Sequence, residues 1–559
     1  MSFNVAGEPF IPKSVIALRN YNAKKFVADL IAGVTVGLVA LPLAMAFAIS
    51  SGVLPQSGIY CAIVAGFLIS ALGGSTVQIG GPTGAFVVVV AGIVQKHGID
   101  GLFMCTMMAG VFLMLLGVTG LGTAVKFIPR PVVIGFTNGI AVLIASTQIK
   151  DFFGLKIDHP PSEFLPRMEA IASNFGTISV TTTILSASCL LAIILIAKFV
   201  KKVPGYIVAM VVGTAVAFAL KLPVETILTK FGGIPSGFPA MKIPTFRADL
   251  ILPLLAPTLT VTMLGAIESL LSAVVGDRMT GDKHNPNVEL FGQGVANFVS
   301  PLFGGLPATG AIARTATNIR SGAVSPIAGV IHALTLLVVL LIGSGLAKHI
   351  PLCVLAAILF VVSYNMGEWK EVPQILKLGK APVAVWGITF ALTVFADLTV
   401  AVEAGMILAM LLFVQRISAT TSVVRVTDEY IEKGIEHSLQ LNPLPKGVAV
   451  FRIHGAFMFG ATDKLDIITN QVDDLPPVVI LRLRNMNALD TTGLKALEEL
   501  ALKLSLKGRH LVMCGLQNQA ANLANQGDLK RHVGEKNLVM SLNEAISRAN
   551  EILAEIERE

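Results

Sequence analysis

The sequence predicts a polytopic α-helical membrane protein: 14 membrane-spanning segments in a seven-plus-seven inverted repeat, followed by a small α/β domain. Three observations carry this prediction. The chain is 54% hydrophobic and only 14% charged, against about 25% charged in a soluble globular protein. A short Gly- and Pro-rich motif occurs twice, at matching places in two apolar halves. The composition turns polar after Arg416.

The apolar part comes first. No Asp, Glu, Lys or Arg occurs from Leu30 to Gln95, a run of 66 residues, enough for about three spans at ~20 residues each. Residues 1–26 lack the apolar core and small-residue cleavage site of a secretory leader and read as a cytosolic segment. Apolar runs predict spans near 27–50, 56–72, 82–95, 101–119, 129–148, 178–198 and 204–222. A second set lies near 254–276, 286–303, 310–319, 323–344, 351–364, 382–396 and 400–418. The third and tenth runs are too short to cross alone.

Loop charges orient the chain. With the N-terminus in the cytosol, the cytosolic loops hold Lys126 and Arg130, Lys198, Lys201 and Lys202, Arg278 and Lys283, and Lys370, Lys377 and Lys380. That is the positive-inside pattern, so the net charge of +7 reads as topology and not as a nucleic-acid surface. The five cysteines are scattered and predict neither a disulfide framework nor a metal site. No nucleophile–base set or cofactor motif appears, which argues against an enzyme.

The repeated motif is Gly80-Gly81-Pro82-Thr83-Gly84-Ala85 and Gly304-Gly305-Leu306-Pro307-Ala308-Thr309-Gly310-Ala311, whose Thr-Gly-Ala cores lie 226 residues apart. Each core opens one of the two short runs. Breaks at corresponding positions of two halves point to a transporter's binding site. The same offset pairs Pro42 in the first span with Glu268 in the eighth: Glu268 precedes Thr309 by 41 residues, and Pro42 precedes Thr83 by 41. Pro42 is expected to interrupt or kink its helix. Seven spans per half is an odd number, so the halves have opposite topology.

Two half-helices then meet near the midplane with free backbone N–H groups, starting near Thr83, Gly84, Ala85 and Phe86 and near Thr309, Gly310, Ala311, Ile312 and Ala313. Helix N-termini attract anions, glycine permits close backbone approach, and the two threonines add hydroxyls. Plain helix capping and tight packing would use the same residues. Glu268, inside the eighth span, is costly at bilayer depth and marks an ion or proton pathway, or else a structural carboxyl. Arg314, early in the second half-helix, either strengthens an anion site or pairs with Glu268 or snorkels outward. Phe47 and Phe86 are candidate pocket walls, His332 reads as a satisfied core residue, and Asp397 and Glu403 as helix caps.

Residues 27–420 thus form the membrane domain, 421–446 a charged linker ending in Asn442-Pro443-Leu444-Pro445, and 447–559 the soluble domain. Strands are expected at Val448–Ile453, Val478–Leu483 and His510–Cys514, with helices over Gly493–Leu506 and about 541–556. Asp490-Thr491-Thr492-Gly493 links strand to helix. An N-cap is the ordinary use of such residues, and phosphoacceptance by Thr492 the sharper one.

The stretch Gly265-Ala266-Ile267-Glu268-Ser269-Leu270-Leu271, with Met279-Thr280-Gly281, Glu289-Leu290-Phe291-Gly292-Gln293-Gly294, Asn297 and Phe303-Gly304-Gly305 through Arg314-Thr315-Ala316, resembles the SulP anion transporters, called solute carrier family 26 in animals. The resemblance runs from about Asp29 into a C-terminal STAS domain, and the bacterial branch of aerobic C4-dicarboxylate carriers looks most similar. It implies a uracil-transporter-like fold of core and gate domains, a multi-pass protein of the bacterial inner membrane with cytosolic termini, and usually a homodimer. It also implies an anion held between the two half-helices and moved by an elevator-like displacement. Glu268 resembles the proton-coupling residue of bacterial members. Sodium-coupled bicarbonate members carry Asp there and a hydroxyl where this chain has Ile312. Proton-coupled symport of a C4-dicarboxylate or sulfate is therefore expected, with sodium–bicarbonate symport, an anion channel or a STAS-signalling anion sensor as alternatives. The partners implied are a small inorganic or organic anion, protons, the lipid bilayer and a cytosolic protein on the STAS domain, with no cofactor.

Overall fold

Chain in lipid must satisfy its own backbone, so charge-free runs fold as helices. The computed structural model describes residues 4–5, 8–122, 129–157, 160–161, 163–200, 204–245, 247–396, 398–426 and 444–558. Its contacts divide the chain into two units, Met1–Met406 and Ile407–Glu559.

The first half of the repeat comprises α1 (Ala23–Ser50), α2 (Pro55–Leu72), α3 (Ala85–Val118), α4 (Arg130–Phe153), α5 (Val180–Phe199) and α6 (Gly205–Ala219). The second comprises α7 (Ile251–Thr280), α8 (Pro286–Val299), α9 (Ile312–Arg320), α10 (Ile327–Ala347), α11 (Leu352–Met366), α12 (Lys380–Phe395) and α13 (Leu398–Thr420). These helices follow the expected spans closely. Among the described residues, seven helices are long and apolar enough to cross a membrane alone. The expected third and fourth spans are the two arms of α3, divided at Gly98, whose φ of 71° and ψ of −175° break the helix. Only glycine takes that conformation cheaply. Helix α1, by contrast, continues through Pro42, so that proline does not interrupt the helix.

Two packing groups emerge within the first unit. Helix α10 packs on α1 and α2, α8 on α3 and α2, and α7 on α3, α8 and α9. Helices α11 and α12 pack on α4, and α11 and α6 on α5. The seam of the first group is a pair of two-residue strands, β1 (Gly80–Gly81) and β2 (Thr309–Gly310), which run antiparallel.

In the second unit, β3 (Ser422–Arg425), β4 (Val448–Phe457), β5 (Val478–Leu489), β6 (His510–Cys514) and β7 (Leu538–Val539) form one sheet in chain order. The β3–β4 pair is antiparallel and the others are parallel. Helix α14 (Thr491–Leu506) covers the face bearing Phe451, Ile453 and Leu481. Helix α15 (Leu542–Ile556) covers the face bearing Val450, Ile480 and Val512. Residues 422–425, expected within the linker, are thus an edge strand. Asp397, Lys126, Lys201, Lys202 and linker residues 427–443 lie outside the described residues, as does the side chain of Glu403.

Candidate anion site at the crossing of two half-helices

The antiparallel pairing of Gly80 with Gly310 and Gly81 with Thr309 brings the twin motifs together. Helix α3 starts at Ala85, soon after β1, and α9 starts at Ile312, soon after β2. Because the strands run in opposite senses, the two helices leave the crossing in opposite directions. Both point their N-termini back at it, which is the inverted arrangement the repeat predicts. Glycine makes this approach feasible: a methyl on Gly310 would sit 1.8 Å from Gln78 Nε2, and one on Gly81 2.8 Å from Arg314 Nη1.

Helix α7 runs across the crossing and supplies its polar groups. Thr83 Oγ1 donates to Glu268 Oε2 at 2.8 Å. The adjacent Ser269 hydroxyl lies 2.7 Å from Thr309 Oγ1, which also donates to the Gly265 carbonyl at 3.1 Å. The Gly310 N–H donates to Ser269 Oγ at 3.3 Å. One turn on, Ser272 meets Thr315, and the Thr315 hydroxyl accepts from the Ile79 N–H at 3.1 Å. Helix α7 therefore pins both motifs, Glu268 holding the first and Ser269 the second.

Exposure separates the residues around the crossing. Thr309, Ala85, Phe47 and Phe86 are buried, Glu268 and Ile312 are half-buried, and Ala313 is exposed. The partly exposed Glu268 and Ile312 and the exposed Ala313 mark the open edge of the crossing, where the leading N–H groups of α9 have no acceptor inside the helix. At Gly84 an added methyl would meet Ile144 of α4 at 2.8 Å, Met366 of α11 at 3.1 Å and Phe47 of α1 at 3.4 Å. Phe86 lies over α7, its Cζ 3.8 Å from a methyl placed on Gly265. Phe47 thus packs at the helix start near Gly84, and Phe86 packs beside α7 one turn before Glu268.

Arg314 is 3% exposed, so it does not snorkel. Its guanidinium donates through Nη2 to the Pro82 carbonyl. Among the described residues no ion pair joins it to Glu268. Its positive charge sits behind the first motif, bound to that motif's backbone. His332 departs from expectation in another way. It is fully buried in α10, yet among the described residues neither ring nitrogen has a hydrogen-bond partner.

The sequence names, but assigns no role to, the groups that hold the crossing in place. Glu289 Oε2 accepts from the Gly74 and Ser75 N–H groups at 2.9 and 3.0 Å, fixing the chain that leads into β1. Gln293 donates to the other carboxylate oxygen at 2.9 Å. Asn297 binds both backbone groups of Ala308 at 2.8 Å, fixing the chain that leads into β2. These three residues recur at i, i+4 and i+8 on α8, a buried polar stripe on an otherwise apolar helix. That spacing was the available signal.

In the second unit, Asp490 Oδ1 accepts from the Gly493 N–H at 2.7 Å, the ordinary N-cap, and Oδ2 accepts from the Phe459 N–H at 3.1 Å. Thr492 is exposed on the first turn of α14.

A polytopic helical fold whose discontinuous helices present N-termini around a carboxylate defines a membrane transporter rather than an enzyme. Residues 26–389 match the Sulfate permease family and residues 442–545 the STAS domain, and the chain belongs to the sulfate permease family of anion transporters. It is 40% identical to YvdB of Bacillus subtilis, which carries a provisional sulfate-transporter name, over 93% of this chain and 97% of that one. It is 30% identical to the bicarbonate transporter BicA of a Picosynechococcus species, over 93% and 94%. Its fold is similar to murine Slc26a9, an anion transporter solved in the inward-facing state, with a TM-score of 0.85, 18% identity, and 97% and 94% coverage. The transmembrane domain of a cyanobacterial BicA matches with a TM-score of 0.61 and 32% identity, over 69% of this chain and 98% of that domain.

Proposed function

We propose that the protein imports a small oxyanion together with a proton, with the anion at the crossing of α3 and α9 and the proton on Glu268. The observation that carries this reading is the Thr83–Glu268 hydrogen bond. It places an ionisable carboxyl against the N-terminus that would hold the anion. An ionised carboxylate beside a bound anion is repulsive. Protonation removes that repulsion and lowers the net charge that must cross the hydrocarbon region. Anion and proton then load together, and release of either favours release of the other.

The packing of α1–α3 and α7–α10 as one group, against α4–α6, α11 and α12 as another, supports an elevator-like displacement of the first past the second. Positive loop charges support cytosolic termini in the bacterial inner membrane, where two such chains pair as a homodimer and the STAS domain offers a surface to a cytosolic partner. Backbone N–H groups accept sulfate, bicarbonate and carboxylates alike. The names of the relatives favour sulfate ahead of C4-dicarboxylates. A sodium-coupled bicarbonate symporter is the second reading, favoured by the similarity to BicA.

Uptake by proteoliposomes tests both. Labelled sulfate, bicarbonate and succinate are each offered under an inward proton gradient or an inward sodium gradient. Accumulation of sulfate or succinate driven by protons supports the proposal. Accumulation driven only by sodium supports the second reading, and downhill flux without accumulation contradicts both.

A further inference from the structure

Around the crossing lies a group of buried polar atoms with no partner among the described residues. They are Ser70 Oγ on α2, both amide atoms of Gln78 just before β1, Arg314 Nη1 and Asn318 Oδ1 on α9, and both ring nitrogens of His332 on α10. Each of these residues is 4% exposed or less. Glycines link them around residues 78–81. A methyl on Gly329, one turn before His332, would lie 2.0 Å from Ser70 Oγ and 3.5 Å from the Gln78 carbonyl. A methyl on Gly310 would overlap Gln78 Nε2, and one on Gly81 would touch Arg314 Nη1 at 2.8 Å. A methyl on Gly66 would lie 3.2 Å from the Gly80 carbonyl and 3.7 Å from His332 Nδ1. Five side chains from four parts of the chain thus converge on β1 and β2.

Buried polar atoms without partners are costly, and natural interiors satisfy them with ordered water. The donor and acceptor inventory selects the guest. Arg314 Nη1, Gln78 Nε2 and the Ser70 hydroxyl donate, which excludes a metal cation, as does the guanidinium charge. Gln78 Oε1, Asn318 Oδ1 and one nitrogen of a neutral imidazole accept, which disfavours a halide, since a halide cannot donate. Only a guest that both donates and accepts satisfies the set.

We propose that Ser70, Gln78, Arg314, Asn318 and His332 form an internal water site at the twin motifs, and that His332 is a positioning residue acting through that water on Arg314. Arg314 Nη2 holds the Pro82 carbonyl directly. Water on Nη1 fixes the other half of the guanidinium and so the orientation of the Thr83-Gly84-Ala85 turn. The site is independent of which anion or coupling ion the protein uses.

Two measurements test this on the full-length protein in lipid nanodiscs. Water-to-histidine polarisation transfer in ¹⁵N-histidine-labelled protein, with His332 assigned by its loss in His332→Asn, is expected to reach His332 despite its burial. Absence of transfer overturns the water site. A map recorded with bromide in place of chloride is expected to be unchanged there, and a bromide peak would overturn water in favour of a halide. The second measurement is sulfate uptake, which rests on the proposed function where the first does not. His332→Phe, which keeps a ring of similar size without nitrogen, is expected to raise the half-saturating sulfate concentration about tenfold with little change in maximal rate, and His332→Asn to restore most of it. If Phe matches the wild type, or Asn fails equally while both variants remain folded, His332 has no positioning role.

Discussion

Thr83 and Glu268 stand 185 residues apart in the chain and are joined by a 2.8 Å hydrogen bond. One belongs to the first Thr-Gly-Ala motif and the other to the helix that spans the second half's motif, so the bond ties the two repeats at the carboxylate. Thr83→Val keeps the shape of the side chain and removes the donor. Uptake is expected to fall about tenfold, in line with loss of a hydrogen bond to a charged group, with Thr83→Ser close to wild type. Equal uptake by Val and Thr variants would mean that the bond is incidental.

Gly310→Ala should be the most damaging small substitution at the crossing. Its methyl would sit 1.8 Å from Gln78 Nε2 on a segment paired to Gly80, and overpacking of this kind costs about 1–3 kcal/mol. Gly84→Ala makes looser contacts, 2.8 Å to Ile144, 3.1 Å to Met366 and 3.4 Å to Phe47, so its effect should fall on sulfate affinity more than on stability. Thermal unfolding in detergent, read beside uptake, separates the two.

Asn297→Ala strands both backbone groups of Ala308. Each buried unpaired group costs about 1–3 kcal/mol, so a clear fall in melting temperature is expected even though the residue never touches the open edge. Asn297→Asp should restore the acceptor and not the donor, and recover part of the loss.

In the second unit, Asp490→Ala removes an N-cap and a bond to the Phe459 N–H and should cost about 1 kcal/mol or more. Thr492→Ala, at an exposed position, should leave stability unchanged. Hydrogen exchange across α14 reads both, and loss of protection in the Thr492 variant would give that hydroxyl a structural role.

Helix positions were legible because lipid leaves an apolar run few alternatives, and the two runs too short to cross, 82–95 and 310–319, did begin at the paired motifs. Parity alone gave the opposite topology of the halves, but not the antiparallel pairing of Gly80–Gly81 with Thr309–Gly310. The supports were harder to see. Glu289 and Asn297 act on backbone 215 and 11 residues away, with Gln293 holding the Glu289 carboxylate, and no local pattern says which backbone a buried side chain will bind. His332 read as an ordinary core histidine because its isolation depends on Gly66 and Gly329, which bring α2 close to α10. The edge strand at 422–425 was hidden by its polar neighbours, since a strand at a sheet edge needs only one buried face.

The central claim is that Glu268 carries the proton that accompanies the anion. Glu268→Gln keeps the Thr83 contact and the shape of the site but cannot ionise. In proteoliposomes, labelled sulfate uptake by this variant is expected to lose its acceleration by an inward proton gradient, while sulfate binding and downhill exchange persist. Undiminished proton-driven accumulation by the Gln variant would contradict the account.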